Sequence, residues 1–297
     1  RMRQEFAEQI IKISKNKKNI FLSGDLGFMA LEGVRKSYGK RFINCGVSEQ
    51  NMIGVAAGMS KSGFKVFAYS IAPFIYARPF EQIRNDIVFH NLPVCLVGNG
   101  GGYAYGYMGP THHALEDCAV MNALGINVVA PAFDKDIGSI IKSFDSPTYL
   151  RLGYEIVPED KIVPKYNSWR MLEQGNGSIV IGFGPMAGLI WDVILTIPKK
   201  KRPTLWAVTE FDMQKIPKMF LEQIKNNDLY VFEEHVRNGG LGMNISLMLS
   251  GRKINTKSFR HFYARGYPKK TFGSQNYHRK KSNLDKDSIL NILTKNQ

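Results

Sequence analysis

Two side chains in this sequence are of a type, and in a setting, that can move a proton. Glu49 lies in Gly46-Val-Ser-Glu-Gln-Asn-Met-Ile-Gly-Val-Ala-Ala-Gly58, at the mouth of what reads as a buried helix of small residues. His112 lies in Gly109-Pro-Thr-His-His113. A carboxylate in a dry pocket can share or pass a proton. An imidazole can stabilise an alkoxide developing on a carbonyl oxygen and carry protons near neutral pH. Taken alone, Glu49 reads as a helix cap, because the free N–H groups and dipole of a helix start favour negative charge. Adjacent histidines cannot easily chelate one metal ion, and no Cys or third His sits nearby in sequence, so the pair does not read as a metal site; His113 reads as a helix-start or supporting residue.

These residues need a scaffold, and the apolar pattern supplies one. A helix is expected over Met2–Lys15, then a strand at Ile20–Leu22 and a turn at Gly24-Asp-Leu-Gly27. Strand 41–45 precedes the Glu49 helix, and strand 65–69 precedes a helix over 80–89. Strand 93–97 opens a glycine-rich loop, 98–109, followed by a helix over 113–124 and strands at 127–130 and 148–152. Short apolar strands between longer helices predict an α/β chain with mostly parallel sheets covered on both faces. A stretch with mixed charges and prolines, 157–169, reads as a linker, and a second α/β pattern begins at Gly177. Two three-layer domains, 1–156 and 170–297, are therefore expected, and 297 residues suffice for two cores.

Composition narrows the class. Apolar content of 44% and aromatic content of 11% suit a soluble globular protein, and no apolar run reaches the roughly 18 residues of a membrane span. The first residues carry no apolar core of the signal-peptide kind, and Cys45, Cys95 and Cys118 are set apart in apolar sequence. They suit reduced core thiols of a cytoplasmic protein. The net charge is +15, and residues 250–297 hold 12 Lys/Arg against 2 Asp, or +10 of that excess. A solvated basic surface explains this, as does an acidic partner subunit; no zinc-finger spacing or RNP-like motif supports nucleic acid.

Four ordered segments together resemble the transketolase family. They are the Glu49 segment, Tyr69-Ser-Ile-Ala-Pro-Phe-Ile-Tyr-Ala-Arg-Pro-Phe-Glu-Gln-Ile-Arg-Asn-Asp86, Gly109-Pro-Thr-His-His113 and Val231-Phe-Glu-Glu-His-Val-Arg-Asn-Gly-Gly-Leu-Gly242. The match covers nearly the whole chain and looks like the C-terminal half of such an enzyme: a pyrimidine-binding domain and a small C-terminal domain. The resemblance implies thiamine diphosphate as cofactor and transfer of a two-carbon ketol unit from a ketose to an aldehyde. It makes Glu49 the glutamate on the pyrimidine N1′, Phe74 the aromatic stacked on that ring, and Asp25 an aspartate near cofactor and subunit contact. His112 becomes the histidine at the substrate carbonyl, and Arg3 a grip on a sugar phosphate. Glu81 and Glu116 are expected towards the subunit interface, and His235 in a structural or interface position.

The sequence also departs from the family. Tyr154 aligns where an arginine binds donor phosphate, and Met108 replaces an aspartate that contacts substrate hydroxyls. Arg151 lies close to the first of these, but neighbouring strand residues point to opposite faces. The usual pentose phosphates are thereby in doubt, and a substrate with an apolar, deoxy or nucleotide-linked portion is expected. No Gly-Asp-Gly occurs, so hard oxygen ligands for the Mg2+ on the diphosphate are expected on a separate N-terminal subunit, in an α2β2 assembly. Competing readings are the β subunit of a 2-oxo acid dehydrogenase, a 1-deoxyxylulose-5-phosphate synthase-like enzyme, and a non-catalytic scaffold.

Overall fold

The computed structural model describes residues 2–27 and 29–295, so Arg1 and Gln297, the outer ends of the two expected domains, lie outside the described residues. Two sheets organise the chain. The first contains β1 (Asn19–Ser23), β2 (Phe42–Asn44), β3 (Lys65–Ile71), β4 (Val94–Asn99), β5 (Asn127–Val129) and β6 (Thr148–Leu152), in spatial order β2-β1-β3-β4-β6-β5. Every pairing in it is parallel. The second contains β7 (Trp169–Glu173), β8 (Ile179–Phe183), β9 (Thr204–Val208), β10 (Asp228–Glu233) and β11 (Ser258–Tyr263), in order β11-β10-β8-β9-β7. Only β7 runs antiparallel, against β9. Strands β1, β4, β6, β8 and β9 are buried along their whole length, as strands covered on both faces must be.

The helix carrying Glu49 spans Glu49–Lys61 and buries Glu49, Met52, Ile53, Ala56, Ala57 and Ser60. That spacing is one helical face, and Ala56 and Ala57 let the helix lie close on the sheet. Three details differ from the sequence-based expectation. The helix expected to start at His113 starts at Asp117, because the Gly-Pro-Thr-His segment is itself a tight 3₁₀ turn over Pro110–His112. The helix near Phe80 widens into a π-type turn over Ile83–Val88. Trp169, expected to end the linker, already pairs with Val208 in the second sheet.

The two sheets are not separate beads. One apolar core runs from Val128 and Ala130 to Phe183, Val208 and Phe211. Val129 and Glu210 bridge antiparallel, and Ala130 N donates to Thr209 O at 2.8 Å. Among the described residues no helix is long and apolar enough to cross a membrane.

Candidate active site

In the first sheet β1 and β3 are neighbours, with Ser23 opposite Tyr69, yet the chain leaves them in opposite directions, towards β2 and towards β4. That reversal opens a crevice at the carboxyl ends of the two strands, where ligands bind in such sheets. Glu49 points into it and is 2% exposed. Its carboxylate does not cap its own helix. Ser70 Oγ, near the end of β3, donates to Oε1 at 3.0 Å, and Arg78 Nη1 donates to Oε2 at 2.8 Å. Gly24, just past β1, keeps the near side open. A Cβ there would stand 3.3 Å from Ser70 Oγ and 3.4 Å from Glu49 Oε1.

Phe74 and Arg78 come from one helical turn, Ala72–Ala77 and its C-terminal cap. The Arg78 guanidinium carbon lies 3.7 Å from the Phe74 ring centroid. His112 meets the same phenyl ring edge to face, with centroids 5.2 Å apart. His112 Nδ1 lies 2.9 Å from Thr111 Oγ1, and Nε2 has no hydrogen-bond partner among the described residues. Burial, and then the Arg78 charge, hold the imidazole below the ordinary histidine pKa. Its ring is therefore neutral, with one nitrogen committed and one available. Tyr105 stands on the far side, 6.2 Å from His112, and accepts from Asn99 Nδ2 at 2.6 Å. Gly100, at φ 81°, carries the Tyr105 ring directly over its Cα, a close approach that requires glycine.

A buried carboxylate, an aromatic face and a neutral histidine thus converge at one switch point. The family model for the transketolase pyrimidine-binding domain matches residues 1–153, just over half the chain and all of the first sheet. The chain belongs to the transketolase family. An apulose-4-phosphate transketolase subunit from Phocaeicola vulgatus is 28% identical over 270 residues, covering 85% of this chain and 84% of that protein. A putative transketolase C-terminal section from Methanocaldococcus jannaschii is 29% identical, with 87% and 85% covered. A split-gene transketolase, solved as an inactive β4 tetramer, superimposes with a TM-score of 0.82 at 25% identity over 99% of this chain and 97% of that one.

Within this transketolase fold the remaining candidate residues separate into two groups. Near the mouth, Arg3 acts through its charge on Tyr69 and Tyr105, and Tyr154 acts on the same two rings, so Arg3, Tyr154 and His112 share Tyr105 as a neighbour. Met108 is 56% exposed on the loop just before His112. Asp25 is exposed, left-handed at φ 57°, and accepts from Asn44 Nδ2 at 2.7 Å. It lies beside Gly24 in sequence, and its hydrogen bond goes to Asn44 and not to Glu49. Glu81 is exposed. Glu116 instead accepts from two tyrosines, Tyr76 and Tyr267, each at 2.6 Å.

Away from the mouth, Arg151 is buried and paired inside the chain. Its Nε donates to Asp117 Oδ2 at 2.7 Å, and its Nη2 donates to the carbonyls of Ala114 and Glu234. Its ion pair with Asp117 holds the guanidinium away from the role of the phosphate-binding arginine missing at Tyr154. The Glu-Glu-His run at the end of β10 is architectural. Glu233 accepts from Leu241 N, Gly242 N and His261 Nε2, fastening the start of the Leu241–Gly251 helix. Glu234 accepts from Tyr103 N, Gln275 Nε2 and Arg279 Nε. His235 is buried, its Nδ1 2.8 Å from Val236 O while its Nε2 accepts from Ala119 N.

The mouth fits the ring end of thiamine diphosphate: a buried carboxylate edge, an aromatic face, and space kept by Gly24. Among the described residues there is no matching seat for magnesium. The trio Asp117, Cys118 and His235 lies within 4.8 Å, but it offers a thiol and an imidazole beside one carboxylate, and Asp117 Oδ2 and both His235 nitrogens already have partners. Hard oxygen ligands are what Mg2+ needs. Sequence reasoning passed over Ser70, Arg78 and Tyr105. A polar serine near the end of an apolar strand, and an arginine four residues after Phe74, were the available signals for the first two. Nothing in the sequence marked Tyr105.

Proposed function

We propose that this chain is the C-terminal subunit of a split transketolase, moving a two-carbon ketol unit from a ketose to an aldehyde once a second subunit is in place. The observation that carries the reading is Glu49, buried at the crevice with Ser70 and Arg78 on its oxygens and Phe74 beside it. Thiamine diphosphate, when bound, supplies the carbon nucleophile; this chain supplies the groups that orient it. Glu49 holds or passes a proton at the pyrimidine N1′. Phe74 stacks on that ring, worth roughly 0.5–1.5 kcal/mol beyond burial. His112 Nε2 faces the substrate oxygen, and Arg3, beside Tyr105, takes a phosphate. Asp25, in the turn after β1, borders the cofactor or the second subunit.

The first unit, 1–156, is the pyrimidine-binding domain, 157–169 the linker and 170–297 the C-terminal domain in this reading. The diphosphate and Mg2+ sit on an N-terminal subunit carrying Gly-Asp-Gly and a downstream Asn, in an α2β2 assembly in the cytoplasm. Two comparisons support the division: the similar chains are named as one subunit and as the C-terminal section of a transketolase, and the split-gene relative made of β chains alone is inactive. Met108 and Tyr154 favour a substrate with an apolar, deoxy or nucleotide-linked portion. The P. vulgatus relative is named for a phosphorylated ketose, so a sugar phosphate outside the common pentose set fits as well.

Calorimetry tests the division. Thiamine diphosphate with Mg2+ should show negligible binding to the isolated chain and clear binding once the N-terminal subunit is added. Micromolar binding by this chain alone ends the split-site reading. Release of CO2 from pyruvate rather than glycolaldehyde transfer would move the complex to the dehydrogenase or synthase class.

A further inference from the structure

Arg78 closes the turn that begins at Ala72, four residues after Phe74, so the two side chains leave the same side of the helix. Its guanidinium lies 3.7 Å from the Phe74 ring centre and donates to Glu49 Oε2 at 2.8 Å. It thus occupies the space between the ring and the carboxylate. Those are the two groups that an aminopyrimidine must touch at once: one by stacking, the other through a ring nitrogen. A guanidinium is flat, stacks on aromatic faces and donates to carboxylates, so its recognition chemistry is close to that of the ring. Two flat groups cannot share one gap at stacking distance.

The arginine is also built to leave. Its side chain is 42% exposed whereas Glu49 is 2% exposed, so its exit is through water and not through the core. Its backbone stays tied, because Gln50 Nε2 donates to Arg78 O. Resting on the thiamine reading above, we infer that Arg78 is a placeholder: in the free chain it fills the pyrimidine seat, and loading of the cofactor turns it out towards His112. This gives the buried Glu49 a charged partner while the seat lacks a ring, a state in which an unpaired buried charge is costly. It also makes the ring alone a poor ligand. Displacement is driven by the diphosphate anchor on the other subunit, so cofactor capture waits for assembly. Apparent affinity is lowered by the fraction of chains whose seat is closed.

The test is calorimetry on the reconstituted complex with Mg2+, using two ligands: thiamine diphosphate, and inorganic pyrophosphate, which fills the anchor without the ring. Arg78→Ala should bind thiamine diphosphate about three- to tenfold more tightly while pyrophosphate affinity stays unchanged. Arg78→Lys, which keeps the charge without the flat fork, should fall between. In the unmutated complex, the Arg78 side-chain N–H resonance should move towards that of a solvated arginine on loading. Equal or weaker thiamine diphosphate binding by Arg78→Ala, or an unmoved resonance, overturns the placeholder and leaves Arg78 a fixed support of Glu49. If wild type and variants alike fail to bind thiamine diphosphate, the cofactor reading falls and the placeholder with it.

Discussion

Two clusters of charge in this molecule look alike in sequence and differ in what surrounds them. At the mouth, Glu49 is buried but its partner Arg78 is half in water, Phe74 is only partly covered, and His112 keeps one nitrogen uncommitted. Between the two sheets, Asp117, Arg151, Glu233, Glu234 and His235 are all buried, and each is bonded to side chains or backbone of the chain itself, with Asp117 Oδ1 left unpartnered. A charged group buried against an ion-pair partner of its own chain is shielded from a substrate. One held at a single edge, with open space on the other, is placed for a ligand. The difference makes Gly-Pro-Thr-His-His the candidate for chemistry and Glu-Glu-His a part of the architecture.

The sharpest way to break that contrast is to remove one member from each cluster. Arg151→Ala should lower stability by about 3–5 kcal/mol, read by denaturant unfolding, because Asp117 would be left buried without its cation. A loss below about 1 kcal/mol would make the inter-sheet cluster a candidate site after all. Glu49→Gln keeps the shape of the side chain, so it should leave the unfolding midpoint nearly unchanged while turnover of the reconstituted complex falls at least about 10³-fold. Unchanged turnover favours the scaffold reading.

His112→Asn should cost about 10²-fold in turnover, the ordinary size of a positioned acid or base. The pH profile sharpens this prediction. Because burial and Arg78 depress the His112 pKa, the ring stays neutral until the pH falls below 6.5, and activity that needs the neutral ring should drop only under that value. Arg78→Gln removes the second of those causes, so the acid limb should move up towards the ordinary histidine value. A limb that stays in place means that His112 does not set it. Smallest of all, Phe74→Leu should weaken cofactor binding by roughly 0.5–1.5 kcal/mol, seen by calorimetry, with no loss of fold.

Much of the scaffold was legible along the chain. Buried parallel strands are continuous apolar runs, so β1, β4 and β6 could be placed to within a residue or two. Only the first residue of the antiparallel β7, Trp169, falls in the expected linker, because an edge strand such as Trp169-Arg-Met-Leu-Glu173 alternates weakly and follows a stretch containing prolines. The start of the Asp117–Ala123 helix was misplaced because the 3₁₀ turn before it has no apolar period of its own. Glu49, Phe74 and His112 do stand together, whereas Asp25 stands apart with Asn44. Glu116, expected at a subunit face, is occupied by two tyrosines, one of them from the second unit.

By itself the sequence determined the α/β layering, the order of the motifs and the chemical types available, because periodicity and residue type are local properties. It could not decide which charges are spent. Whether Arg151 serves a phosphate or a buried aspartate, and whether Arg78 is a surface cation or sits between Phe74 and Glu49, depends on neighbours brought close by folding. Glu234 is 83 residues from Arg151 and Tyr103 is 131 from Glu234, separations that no local pattern encodes. Only the packing of one sheet against the other settles which polar atoms are satisfied and which remain to bind.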